Sequence, residues 1–380
     1  MKEVAFSNAK VVLADSIIDG TVVVVDGIIA DIVEGRRRAV GTIDLDGDYL
    51  LPGLLELHTD HLEAHFSPRP KVQWPADAAV VAHDAQIVAS GITTVFDALR
   101  VGNVRGEDSV SQHMGLLAAA IREATECGRL RADHLVHLRC ELACEDTVSG
   151  LAALIDDAGV RLISVMDHTP GQRQFVNLTK FREYYQGKVG FNDAEMETFI
   201  AERHEACDRL SIPNRSKVVA MARERGIPIA SHDDATSGHV EEARQEGASI
   251  SEFPTSVEAA EAARSCGLMV LMGAPNVVRG GSHSGNVSAT DLARQGLLDI
   301  LSSDYVPYSL LQAVFALPRH DTGMDLPAAI RTVTANPAAA VGLDDRGSIT
   351  VGKRGDLIRV CLDGDFPVMR SAWRQGERVM

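Results

Sequence analysis

Residues 54–60 read Leu-Leu-Glu-Leu-His-Thr-Asp: a short apolar segment that ends on an imidazole and a carboxylate. Ala-rich helical patterning follows, the signature of a strand–helix unit. The same transition recurs along the chain at Ile92–Asp97, His134–Glu141, Leu162–His168, Ile227–His232, Ser249–Phe253, Met269–Gly273 and Leu298–Asp304. Eight such strands predict an α/β fold built on a (β/α)8 barrel, for which about 250 residues is typical. A longer insertion, roughly residues 170–215, interrupts the alternation and reads as an excursion over the active-site face.

The two ends of the chain differ from this middle. Val22–Val25, the Asp26-Gly27 turn and Ile28–Ile32 predict a hairpin. Gly347–Val351, Asp356–Leu362 and Ala372–Val379 predict further strands. Residues 1–50 and 341–380 are therefore expected to form one small β-sandwich domain, with residues 51–340 as the catalytic barrel.

The 380 residues are 45% apolar and carry 37 basic against 53 acidic side chains, a formal net charge of −16. That acidity argues against nucleic acid or anionic lipid as a partner, since both need a basic footprint. No apolar run approaches the roughly 20 residues of a spanning helix. The start, MKEVAFSNAK, lacks a signal-peptide core, which predicts a cytoplasmic protein. Cysteines 127, 140, 144, 207, 266 and 361 match no zinc or disulfide spacing and are expected as reduced thiols.

Barrel chemistry sits where strands deliver side chains to the C-terminal face. Those positions carry His58, Asp60, Glu141, His168, His232 and Asp304. Residues two apart on a strand share a face, so Glu56, His58 and Asp60 point together, as do His137, Arg139 and Glu141. Imidazole and carboxylate suit one or two divalent ions, zinc first, with manganese or iron as alternatives. Glu141 is expected to bridge them. A bound ion lowers the pKa of its water to about 7, and Asp304 is expected to bind one ion and shuttle the proton. A lone histidine at a strand end is more often a satisfied polar group; six such groups on one barrel face are hard to obtain as core filler.

Three segments are suited to anions: Ser67–Lys71 with Arg69, the 168–190 stretch with Arg173, Lys180, Arg182 and Lys188, and Arg279–Asn286 with Ser282, His283 and Ser284. Glycines in the last expose backbone N–H groups, and guanidinium forks match phosphate oxygens. Neither nucleotide-loop pattern, GxxxxGK[ST] or GxGxxG, is present. Metal ligands with arginines point to phosphoric anhydride chemistry.

These stretches resemble the amidohydrolase superfamily, and within it the PhnM family of phosphonate metabolism. The resemblance rests on LLPGLLELHTD (50–60), GITTVFDAL (91–99), HLRCEL (137–142), SVMDHTPGQRQF (164–175), SHDDAT (231–236), EFPTS (252–256), LMGAPNVVRGGSHSGNVSA (271–289), LLDILSSDYVP (297–307) and GSITVGKRGDL (347–357). It implies a distorted barrel beside a β-sandwich made from both termini. It also implies hydrolysis of α-D-ribose 1-methylphosphonate 5-triphosphate to the 5-phosphate and pyrophosphate, by attack of metal-activated hydroxide on the α-phosphorus. His58, Asp60, Glu141, His168, His232 and Asp304 carry over as metal ligands. Arg69, Arg139, Arg173, Arg279, Ser282, His283 and Ser284 carry over as phosphate or phosphonate contacts.

The implied partner is a small sugar triphosphate, and a homodimer is compatible with the chain. The superfamily's usual first-strand His-x-His is His58-x-Asp60 here, and His61 adds an imidazole of open role. Asp233 and Asp234 are expected to steady His232 or touch ribose hydroxyls. Competing readings are an amidohydrolase that opens a cyclic amide or deaminates a nucleobase, and an inactive structural relative.

Overall fold

The computed structural model describes residues 2–36, 41–69, 71–104, 113–282 and 285–380. The N-terminal strands are β1 (Glu3–Val12), β2 (Ile17–Val25), β3 (Ile28–Glu34), β4 (Thr42–Asp44) and β5 (Tyr49–Pro52). The barrel strands are β6 (Leu54–Thr59), β7 (Ile92–Val101), β8 (Asp133–Glu141), β9 (Val160–Met166), β10 (Ile229–His232), β11 (Ile250–Glu252), β12 (Met269–Gly273) and β13 (Ile300–Ser302). At the C-terminus lie β14 (Leu357–Asp363), β15 (Phe366–Arg374) and β16 (Glu377–Arg378).

Strands β6 to β13 pair in chain order, all in parallel. The ring is closed by a bridge between Thr59 and Asp304, with Asp304 N donating to His58 O at 3.0 Å and Asp60 N donating to Asp304 O at 2.9 Å. The barrel is thus sewn shut through residues of the expected site. All eight strands expected in the middle of the chain are present. They fill the barrel with Leu55, Leu57, Phe96, Leu135, Leu162, Ala230, Ile250, Leu271 and Ile300, which form one cluster.

Gly53 is obligatory where β5 gives way to β6, because a Cβ there would overlap the Thr93 side chain. The 170–215 insertion folds as the helices Leu178–Val189 and Asp193–Ala206 and the turn Cys207–Ser211. A satellite core of Phe175, Phe181, Tyr185, Met196 and Phe199 holds it together. Asn192 and Glu195 start its second helix with a reciprocal capping box.

The terminal strands form one continuous sheet, ordered β16-β15-β14-β5-β1-β2-β3, with β4 also paired to β1. β1 changes partner along its length, taking β4 at Ala5–Ser7 and β5 at Lys10–Val11, across an irregularity that includes left-handed Asn8. That bend brings both halves onto a shared core of Phe6, Val11, Val22, Leu50, Leu357 and Trp373. Residues 347–351 are bend, irregular chain and the start of a turn rather than strand, a departure from the expectation. Asp133 at the start of β8 ties the sheet to the barrel. It lies 2.7 Å from Arg346 Nη1, 2.7 Å from Arg354 Nη1 and 3.2 Å from Arg374 Nη1.

Among the described residues no helix is long and apolar enough to cross a membrane. All six cysteines are free.

Candidate metal centre

Strand alternation lifts the site directly off the barrel core. Ile250 fills the interior, and Glu252, two residues on, shares its face one layer higher; Ala230 and His232 repeat the relation on β10. Glu252 is fully buried, with Oε1 2.6 Å from His58 Nδ1 and Oε2 2.7 Å from His232 Nδ1. Burial alone would favour a neutral Glu252, but the two imidazoles hold its carboxyl well below the usual range. Each ring donates Nδ1–H to the carboxylate, so each turns its Nε2 away from it. The two rings lie stacked, centroids 5.8 Å apart.

A second carboxylate treats His168 in the same way. Its Nδ1 is 2.6 Å from Glu141 Oε2, and its backbone N–H donates to Glu141 Oε1 at 3.1 Å. Burial works against a charged His168, yet Glu141 and Asp233 raise it to about 9. Glu141 is further gripped by Arg203 Nη2 at 2.8 Å and Arg100 Nη2 at 3.1 Å. Glu141 was expected to bridge two ions; in this structure its oxygens are engaged by these cations and by His168. Among the described residues Glu141 belongs to no cluster spaced for an ion.

Besides the His58–His232–Glu252 group just described, two such clusters form at the mouth among the described residues. One joins His58, Asp60 and Asp304; the other joins His168, His232 and Asp233, each with ligand atoms within 4.8 Å of one another. Asp233 Oδ2 is 3.3 Å from His232 Nε2 and 3.6 Å from His168 Nε2. That oxygen is buried with no hydrogen-bond partner among the described residues. An orphaned anionic oxygen facing two imidazole nitrogens suits a cation. Burial opposes ionisation of Asp60, but the Arg139 guanidinium holds it below the ordinary value, with Nη1 at 2.6 and 2.8 Å from its two oxygens.

The backbone is bent to present this set. Asp233, Phe253 and Asp304, just past the ends of β10, β11 and β13, have φ of 55°, 54° and 55°. Aspartate tolerates this region. A phenylalanine there is unusual, and such strain gathers where function requires an aim. Phe253 packs against His58 and His232, with ring centroids 5.0 and 5.4 Å away.

Above the clusters is a cavity of about 130 Å³, lined by His58, Arg139, His168, His232, Arg279 and Ser282 among others. It adjoins a wider groove of about 510 Å³ bordered by Asp60, Arg100, Tyr184, Tyr185 and Tyr305. Gly280 and Gly281, with φ of 80° and 154°, end the helix Ala274–Arg279 abruptly and leave exposed Arg279 on the cavity rim.

The other anion contacts expected from sequence are placed differently. Arg173 is buried, with Nη1 2.9 Å from Asp234 Oδ1 and Nη2 3.3 Å from Glu242 Oε2, so its charge is already matched. Lys180 and Arg182 pair with Glu183 and Glu197. Arg69 is exposed and borders neither cavity. His283 and Ser284 lie outside the described residues.

Sequence reasoning missed Glu252 and assigned Asp233 only a supporting part. EFPTS held the signal for the first, a carboxylate ending an apolar strand, the same cue that singled out Glu141.

Comparison with known proteins agrees with this architecture. The model of the amidohydrolase family matches residues 272–367. The chain is 49% identical to the alpha-D-ribose 1-methylphosphonate 5-triphosphate diphosphatase of Escherichia coli (strain K12), covering 98% of this chain and 99% of the relative. It is 24% identical to an imidazolonepropionase of Deinococcus deserti, covering 95% and 92%. Among solved structures, an Xaa-Pro dipeptidase superposes with a TM-score of 0.67 at 18% identity, over 99% of both chains.

Proposed function

The chain belongs to the amidohydrolase superfamily, in the family of the α-D-ribose 1-methylphosphonate 5-triphosphate diphosphatases, and on that premise we propose that it hydrolyses this sugar triphosphate to the 5-phosphate and pyrophosphate. The observation that carries the reading is the cavity itself: two imidazole–carboxylate clusters on its floor, with Arg139, Ser282 and Arg279 above them. A cyclic amide or a nucleobase needs the floor but has no use for cations along the wall. A triphosphate needs both.

The donor set fits divalent ions. His58, Asp60 and Asp304 would hold one, and His168, His232 and Asp233 a second, with zinc suited to the mixed nitrogen and oxygen ligands. When bound, such ions acidify water and neutralise phosphate charge. The chain's own residues do the rest. Glu252 and Glu141 fix ring orientation and tautomer. Asp304, through its carboxylate, takes a proton from the water that attacks the α-phosphorus. The bond from that phosphorus to the bridging oxygen breaks, and pyrophosphate leaves with the electron pair. Arg139, held on Asp60, keeps that carboxylate ionised, and Arg279 offsets the charge on the leaving group. Residues 51–340 carry all of this chemistry, and the segments 1–50 and 341–380 none of it. The substrate is a small metabolite, in keeping with a cytoplasmic enzyme.

The test is product analysis with the purified, metal-loaded chain. Pyrophosphate release from ribose 1-methylphosphonate 5-triphosphate is expected. Its absence, together with ammonia release from a nucleobase or opening of a cyclic amide, would overturn the reading.

A further inference from the structure

The clusters at the mouth open onto two spaces with different linings. The cavity of about 130 Å³ and the groove of about 510 Å³ share Arg139, His168, Gln174, Asp304 and Tyr305, so they meet over the floor. Cleavage of a triphosphate at its α-phosphorus gives two unequal fragments, pyrophosphate and a sugar that carries one phosphate and one phosphonate. With the α-phosphorus at the seam, each fragment lies to one side of it.

The linings sort the two fragments. Arg279, Ser282, Asn276 and Asn286 border the cavity and not the groove. Apart from Asp233 and Asp304 on the floor, no carboxylate lines the cavity among the described residues. Donors with no opposing negative charge suit pyrophosphate, a compact polyanion that offers mainly acceptor oxygens.

The groove is built otherwise. Phe175, Tyr184 and Tyr185, all from the insertion, border the groove and not the cavity. The Tyr184 ring lies 5.5 Å from that of Phe175 and 5.2 Å from that of Tyr185, which makes one continuous aromatic wall. Glu63 and Arg100 also border the groove alone, and Arg100 is partly exposed there. A carboxylate such as Glu63 repels a polyanion but accepts from hydroxyl groups. The guanidinium fork of Arg100 matches a single anionic group, and an aromatic wall covers an apolar surface.

We propose that the groove is the subsite for the sugar phosphonate, an assignment that rests on the proposed substrate. Glu63 accepts from ribose hydroxyls, Arg100 pairs with the phosphonate, and Tyr184 covers the apolar face of the sugar. The terminal pyrophosphate lies in the cavity beside Arg279 and Ser282, so the larger fragment takes the larger space. The insertion is thereby the element that selects the sugar, while Arg279 and Ser282 hold the part that every 5-triphosphate shares.

The experiment titrates the two products separately. Pyrophosphate and ribose 1-methylphosphonate 5-phosphate are each titrated calorimetrically into the full, metal-loaded chain with the divalent ion in excess. Ribose 5-phosphate, which lacks the phosphonate, is the control. Tyr184→Ala is expected to weaken the sugar phosphonate roughly three- to tenfold and to leave pyrophosphate as in the native chain. Arg279→Ala is expected to weaken pyrophosphate about tenfold and to spare the sugar phosphonate. Arg100→Gln is expected to cost the sugar phosphonate about tenfold while ribose 5-phosphate binds as before. Should Tyr184→Ala not fold, Glu63→Gln carries the same expectation. Native affinity for the sugar phosphonate in the folded groove variants, or the exchanged pattern between Tyr184→Ala and Arg279→Ala, overturns the assignment. Equal losses of the two sugar phosphates in Arg100→Gln overturn the role of Arg100. If neither product binds the native chain, the functional reading itself falls, and this subsite with it.

Discussion

Nδ1 of His58 lies 2.6 Å from Oε1 of Glu252, and the carboxylate's other oxygen holds His232 in the same way. Glu252→Gln leaves one acceptor where two rings need one each, so one imidazole meets an amide N–H₂ and loses its tautomer. Metal affinity at the mouth is expected to fall about 10- to 100-fold, measured by competition with a chromogenic chelator. An unchanged affinity would refute the orienting role.

Glu141 separates a bridging ligand from a positioning residue. Glu141→Gln is expected to keep the native metal count. Stability should fall by about 3 kcal/mol, because Arg203 is left buried beside a neutral amide. Loss of an ion from the folded variant would instead establish the bridging role.

Arg279 touches no metal cluster and stands on the rim. Arg279→Ala is expected to raise KM on the order of tenfold, equivalent to about 1.4 kcal/mol, with metal content unchanged. Loss of metal in this variant would place the residue on the cavity floor instead.

Asp304→Asn retains an oxygen donor and removes the base. The expectation is a fall in kcat of about 10² to 10⁴ with KM little changed, read from initial rates of pyrophosphate release. Near-native kcat would move the proton acceptor elsewhere, Asp233 being next in line.

Far from the mouth, Asp133 binds three guanidinium groups. Burial opposes its ionisation, but Arg354 and Arg346 depress its pKa. A depressed folded-state value means its stabilisation is present above the unfolded pKa of about 4 and is lost as pH falls through the folded one. Asp133→Asn should lower stability by about 2 kcal/mol at pH 7, discounted for its partial exposure, and flatten the acid limb of a denaturation series. An identical acid limb in the variant would remove Asp133 as its cause.

The eight barrel strands were legible because each is a local event, a short run of three to ten residues, largely apolar, ending at or beside a polar group. His58, Asp60, His168, His232 and Asp304 were legible for the same reason. Arg173 misled because its basic character is local, while the Asp234 and Glu242 that neutralise it are 61 and 69 residues away. Residues 347–351 misled because a Ser-Ile-Thr-Val run has strand propensity, yet the chain there has no neighbouring strand to pair with among the described residues and stays irregular up to the turn that starts at Val351.

By itself the sequence determined the order of strands, the residues at their C-terminal ends and the family of the chain, since periodicity and motif are properties of neighbours. Only the tertiary structure decided what those residues are to one another. His58 and Glu252 are 194 positions apart; Glu141 and Arg203 are 62. Whether a carboxylate is a ligand or the anchor of one depends on which charges the closed barrel sets against it, and electrostatic energy depends on distance in space rather than along the chain.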